Sequence, residues 1–411
     1  MIKIQVIRFS LMITTLLLTS VIAAAQSRLE LQQKLLSSNE ELKSMSSDIT
    51  SQDSLKKSMY SAYLPTLNVI GGLAKNKTDE DDEKGQVRYL QGSANLFSGF
   101  KDMASVDIQD KKIALAKINY EIHVRAQKEK LTEILASMIG LHQLEKILDE
   151  EFKITQNQKQ MAARKVNAGL TSQVDNYEFV IRESEIEIQK KEIKRKHEAA
   201  HQQLNALYNQ EILDSEIENL SFAADPTTIS GFNLKSYENH PLIQKAKITA
   251  DIALFEKSVM TSDFLPKIDL SYVFGRLTPT EDNIKYNESE IALLVTIPLF
   301  SGFDTYHKRK SSIANLSAKE HEKNQILLDI KSQFEQLKSR VQELVESYQI
   351  IEKKLIVTEK YYNLTLAEYK RGTKNSPDLV GATERYFDTK KKKIEIQKEL
   401  DIIQDQLNNY K

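Results

Sequence analysis

Two long stretches of this chain place apolar residues at steps of three and four. In the first, Leu131, Leu135, Met138, Leu141, Leu144, Leu148 and Phe152 span 21 residues in six steps. In the second, Ile330, Phe334, Leu337, Val341, Leu344, Tyr348, Ile351 and Leu355 step by 4, 3, 4, 3, 4, 3 and 4. A 3.5-residue period is the seam of helices packed along one another, not the broader stripe of a globular helix. Residues 101–168 contain one potential breaker, Gly140, and residues 304–371 contain no Gly or Pro. At 1.5 Å per residue each makes a rod of roughly 100 Å. Gly169 and Gly372 stand where a helix C′ glycine belongs. Return helices follow at about 172–213 and 377–410, and shorter helices precede the strands at about 28–62 and 234–263.

Period-two alternation marks the strands. Leu67, Val69, Gly71 and Leu73 share one face after the Leu64-Pro65 step, which ends the preceding helix. Ile268, Leu270, Tyr272 and Phe274 share another, as do Ile291, Leu293, Val295, Ile297 and Leu299. A run with weaker alternation ends at Phe97. The expected strands are 65–75, 86–97, 266–276 and 288–300, each about the length of a tilted membrane-spanning β-strand.

The pattern occurs twice. Leu96-Phe97-Ser98-Gly99-Phe100 returns 203 residues later as Leu299-Phe300-Ser301-Gly302-Phe303. Gly169 answers Gly372 and Asp175 answers Asp378 at the same offset, and Leu64-Pro65 answers Leu265-Pro266 at 201. Several landmarks at one offset indicate an internal duplication. The chain divides into a leader at 1–25, a first helix–strand–strand–helix repeat at 26–222 and a second at 223–411.

The leader has Lys3 and Arg8, an apolar run from Leu11 to Ile22, and Ala23-Ala24-Ala25 as a small-residue cleavage site. The protein is therefore expected outside the cytoplasm. It has no Cys, which excludes disulfides and a lipid-modified N-terminal cysteine. No later segment is apolar over 18 residues, so any crossing of a membrane falls to the β-strands. Four strands cannot close a barrel and open edges are not viable in lipid. Three copies supply twelve strands, within the range of outer-membrane barrels. A formal net charge of -1 gives no reason to expect nucleic acid as a partner.

Two duplicated repeats, Leu-Pro entering the first strand of each, Leu-Phe-Ser-Gly-Phe leaving the second and Gly at the far helical turn resemble the TolC family of outer-membrane efflux proteins. Asn239-His240-Pro241-Leu242 resembles that family's Asn-Pro helix opening. The resemblance implies a mainly α protein with membrane β: a homotrimer whose 12-stranded barrel continues as a long periplasmic α-helical barrel. It implies an exit duct without catalytic activity or cofactor, serving a tripartite efflux or type I secretion system with a periplasmic adaptor and an inner-membrane transporter. Residues 168–172 and 371–376 would dock the adaptor, with Gly169, Leu170, Thr171, Gly372 and Thr373 at the tips. Asp378 would form an acidic constriction. The family's second acidic position is Gly381 here, and Asp175 could compensate. Ser98, Gly99, Ser301 and Gly302 would turn strand into helix.

His197-Glu198-Ala199-Ala200-His201 fits the H-E-x-x-H zinc pattern. It lacks an evident third ligand and follows Lys190, Lys191, Lys194, Arg195 and Lys196, so a solvated helix face is the better reading. The acidic run Asp79–Glu83 reads as a solvated hairpin without the glycine and distal glutamate of a calcium loop. The competing functional class is a periplasmic coiled-coil adaptor, which would lack two duplicated pairs of membrane-length strands.

Overall fold

In a computed structural model, the described residues are 28–77, 82–213, 217, 220–224, 237–276, 288–408 and 410. The leader at 1–25, most of the acidic run and residues 277–287 lie outside them. Residues 28–38 (α1) and Glu40–Met59 (α2) are helical and are followed by a 3₁₀ turn at Tyr60–Tyr63. Then come β1 (Thr66–Lys77), β2 (Asp82–Phe97), α3 (Lys101–Asn167) and α4 (Gln173–Tyr208). The second repeat supplies α5 (Pro241–Ser262), β3 (Lys267–Arg276), β4 (Glu288–Thr296), α6 (Asp304–Arg371) and α7 (Ser376–Asn408). No helix among the described residues is long and apolar enough to cross a membrane.

The element bounds differ from expectation in instructive places. The first helical segment breaks at Asn39, whose side-chain oxygen accepts from the Leu42 amide at 3.0 Å and caps α2. The β1–β2 hairpin runs further than the alternation shows, pairing Lys77 with Asp82. By contrast β4 stops at Thr296, opposite Lys267, rather than near Phe300. Pro298 has no amide to donate, so the ladder ends before it.

The four strands form one antiparallel sheet in the order β1-β2-β3-β4. Its register sorts residues into alternating rows. One row is Leu67, Gly92, Tyr272 and Ile291; the next is Thr66, Ser93, Ser271 and Ala292. One face is therefore apolar and the other largely polar, and the weak alternation of β2 becomes legible only through its partners. Leu67, Val69 and Leu73 on the apolar face are 68%, 86% and 88% exposed. Nothing among the described residues covers them.

Two compact units draw on both repeats. One comprises Lys43–Ile122 and Pro241–Asp329 and holds the sheet; the other comprises His123–His240, Ile330–Lys411 and the residues up to Leu42. In the all-helical unit the seam of α6 is longer than its apolar residues suggest. Ile330, Phe334, Val341, Leu344, Tyr348 and Ile351 are buried, and the same steps continue through Thr358, Tyr362, Thr365 and Tyr369. The threonines tolerate this because their hydroxyls donate to carbonyls of their own helix, Thr358 to Lys354 and Thr365 to Tyr361. On α3 the seam departs from the expected Phe152, which is only half-buried. Glu151, Thr155 and Gln158 occupy the inward positions.

Candidate docking and constriction site

Two helical turns end the rods in the all-helical unit, and they share one construction. Gly169 has φ +69° and Gly372 has φ +83°, a left-handed conformation that glycine adopts without strain. At the first turn, Gly169 N donates to Val166 O at 2.9 Å and Leu170 N to Lys165 O at 2.9 Å. At the second, Gly372 N donates to Tyr369 O and Thr373 N to Glu368 O, both at 3.1 Å. This is the paired C-cap that satisfies the last carbonyls of a helix. A Cβ on either glycine would meet nothing within 4 Å. The glycines are therefore needed for backbone conformation, and the surface above them is open. Leu170 is 76% exposed there.

The return helices begin with different caps. Asn375 Oδ1 accepts from the Asp378 amide at 3.1 Å and opens α7. Thr171 donates its hydroxyl to Asp175 at the start of α4. Asp175 also reaches the other turn, where its Oδ1 accepts from Ser376 N at 3.4 Å. Tyr369 lies between them. Lys165 Nζ sits 3.9 Å over its ring and donates to its carbonyl oxygen, and Phe179 packs edge-on at 6.0 Å. Burial pushes the Tyr369 phenol above its usual value; the Ser376 hydrogen bond opposes this and the charge of Asp175 adds to it. Asp378 remains partly exposed and faces Lys374 at 3.7 Å. A cleft of about 540 Å³ is lined by residues from both turns, including Lys165, Thr171, Asp175, Gly372 and Asp378. The two turns thus form one surface, with Asp175 tying them together.

The strand-to-helix corners are duplicated to the same degree. Gly99 and Phe100 have φ +68° and +67°, and Gly302 and Phe303 have φ +65° and +66°. Phe97 and Phe100 meet edge-to-face at 5.0 Å, and Phe300 and Phe303 at 5.4 Å. This contact explains the Phe-Ser-Gly-Phe pattern, since the aromatic pair braces two consecutive left-handed residues. Ser98 Oγ accepts from the Asp102 amide at 3.3 Å, and Ser301 Oγ from the Thr305 amide at 3.4 Å. Each serine begins a rod.

Residues 235–410 match the outer membrane efflux protein family. The match covers the second repeat, and the landmarks 203 residues earlier tie the first repeat to it. The fold agrees. The chain is similar to the outer-membrane channel OprN, with TM-score 0.83 and 14% identity over 94% of this chain and 89% of that one. It is similar to VceC of Vibrio cholerae, with TM-score 0.82 and 14% identity over 94% and 96%. CmeC of Campylobacter jejuni gives TM-score 0.79 and 14% identity over 93% and 85%. Comparison with curated protein sequences gives no match.

The zinc-like pattern is not part of this site. His197 and His201 lie on α4, with His201 Nδ1 3.1 Å from Asn205 Nδ2. His197 lines a small cavity with His142 and Glu145, yet among the described residues no three His, Cys, Asp or Glu are grouped to hold a metal. Sequence reasoning missed two buried acids. Glu151 pairs with Arg182 and, at 2.9 Å, with Lys391, joining three helices. Asp401 accepts from Arg28, Ala223 N and Ala224 N. Neither lies in a motif; their signal is an acid at an inward helical position.

Proposed function

We propose that three copies of this chain form an outer-membrane exit duct for a tripartite efflux or type I secretion system. The sheet whose apolar face is covered by nothing among the described residues carries the reading. Its four strands are too few to enclose a pore, its polar face suits water and its apolar face suits lipid. Three chains close it into twelve strands, and the long heptad helices continue the passage into the periplasm. The duct performs no chemistry; the energy for export comes from an inner-membrane transporter. The turns at Gly169–Thr171 and Gly372–Thr373 receive a periplasmic adaptor, which fits their open, glycine-defined surface. Asp378 supplies one acidic ring at the constriction and Asp175 holds the two turns in place. The coiled-coil adaptor reading is disfavoured, because it leaves the duplicated strands without a role.

The experiment is conductance across a planar lipid bilayer by protein extracted from separated outer membranes, with its mass determined free of bound detergent. A trimer that opens ion-conducting pores supports the duct. A soluble periplasmic monomer, or a trimer that never conducts, overturns it.

A further inference from the structure

The duplication extends to side-chain contacts. Asp149 of α3 and Lys190 of α4 are ion-paired at 2.6 Å, and 203 residues on, Glu352 of α6 and Lys393 of α7 are ion-paired at 2.9 Å. The offset therefore carries a contact from one repeat to the other. A second set of contacts joins the rod of the first repeat to the return helix of the second. Glu150 meets Lys390 at 2.7 Å and Gln158 donates to Thr383 at 3.0 Å. Gly140 packs on Lys398, whose Cδ would lie 3.5 Å from a Cβ there.

The images of these three contacts would join α6 to α4. They are Lys353 with Glu187, Tyr361 with Val180, and Glu343 with Arg195. Each image is chemically complementary. The first keeps the ion pair with its signs exchanged, the second becomes apolar, and the third becomes a new ion pair. All six residues are exposed in the chain. Lys353 and Glu187 have no ion-pair partner among the described residues, and Glu343 meets Arg340 of its own helix at 2.7 Å.

The apolar positions are incomplete in the same way. Ile147, Ile154 and Met161 of α3 pack against the cluster that Leu379 and Phe387 of α7 help to form. Their images Ile350, Val357 and Leu364 are 65%, 64% and 56% exposed. On α4, Tyr177, Ile181 and Ile188 are 54%, 56% and 64% exposed. Apolar rows of this extent mark an interaction surface. The sheet-bearing unit shows the same asymmetry. A Cβ on Gly99 would lie 2.7 Å from Ser262 O, whereas one on Gly302 would meet nothing within 4 Å. The image of Ser262, at the 201-residue offset of the helix–strand step, is the exposed Ser61.

We propose that α6 of one copy packs on α4 of the next in the register set by the 203-residue offset, with Lys353 on Glu187, Tyr361 on Val180 and Glu343 on Arg195. The occupant is a second copy of this chain, because an unrelated protein would have no reason to match an internal offset. The interface is head-to-tail, so it closes into a ring when the rotation closes. This rests on the trimeric duct reading and adds which faces meet and in what register.

The natural chain has no Cys, so a Val180→Cys/Tyr361→Cys variant tests the register directly. A disulfide forms only between Cα atoms within about 7 Å. Oxidation in isolated membranes is expected to give covalent dimers and trimers that reductant collapses, with none in either single variant. Ser184→Cys/Tyr361→Cys, displaced by one helical turn, is expected to link poorly; equal or better linking there overturns the register. A detergent-extracted trimer without the 180–361 link overturns the interface and leaves the duct standing, while a monomer overturns both. Lys353→Glu is expected to speed subunit dissociation in detergent roughly two- to five-fold through like-charge contact. Glu187→Lys/Lys353→Glu is expected to restore the natural rate, and failure of that rescue counts against the ion pair.

Discussion

Asp401 offers the sharpest test of how the helical unit is held together. Its side chain is 1% exposed and serves two segments that are distant in sequence. Arg28 Nη2 donates to Oδ2 at 2.8 Å, while the amides of Ala223 and Ala224 donate to Oδ1 at 2.7 and 3.0 Å. Asp401→Ala leaves a guanidinium without its partner and two amides without an acceptor. Removing one member of a buried pair costs about 3–5 kcal/mol, and an orphaned buried donor about 1–3 kcal/mol. These losses overlap, so the expected cost is about 3–5 kcal/mol. Asp401→Asn keeps an oxygen where both amides converge and loses the charge-assisted bond at Oδ2, for an expected cost of about 1.5–3 kcal/mol. Urea unfolding in detergent, followed by circular dichroism at the helical band, gives both values. An alanine variant within about 0.5 kcal/mol of the natural protein would refute the hub, since that is the behaviour of a surface site. An asparagine variant as costly as alanine would show that charge, not shared acceptance, dominates.

Other expectations follow from neighbouring features. Glu151→Leu removes the buried partner of Arg182, which keeps Glu185 and Glu384, and should destabilise by about 1–3 kcal/mol in the same unfolding assay. Burial raises the Asp405 carboxyl above its ordinary value, despite a hydrogen bond from Thr132 and the nearby charge of Arg28. A raised folded-state value opposes folding at neutral pH and ceases to do so as pH falls through that value. Asp405→Asn should therefore melt higher than the natural protein at pH 7, with the difference shrinking toward the ordinary carboxylate value of 3.8; a constant difference would contradict this. Gly99→Ala combines a left-handed alanine, at about 1–2 kcal/mol, with a clash on Ser262 O, and should reduce the folded fraction in outer membranes. Gly372→Asp should leave assembly intact and abolish export in a complementation assay, and normal export would remove the turn from the docking surface.

Much of the architecture was legible because duplication let one half read the other. The Leu-Phe-Ser-Gly-Phe corners, the terminal glycines and the aliphatic part of both seams stand where the sequence places them. The rest depended on contacts that periodicity cannot see. The last four buried positions of the α6 seam are Thr358, Tyr362, Thr365 and Tyr369, residues that an apolar pattern passes over. Glu151 displaced Phe152 from the inward face because Arg182 and Lys391 lie 31 and 240 residues further along the chain. Asp175 was expected as a constriction charge through its match to Asp378. In the structure it accepts from Ser376 N, a role that only the proximity of two distant turns reveals.

The seam of α6 also changes chemical character along its length. Ile330, Phe334, Val341 and Leu344 form an aliphatic and aromatic rail, and sliding it by part of a turn would expose apolar area with no compensation. Near the glycine turn, threonines with self-satisfied hydroxyls alternate with tyrosines, and Tyr369 is held by Lys165, Ser376 and Phe179. A similar displacement there would break directional contacts as well as expose area. One end of the helix is thus fixed by shape and the other by named polar partners.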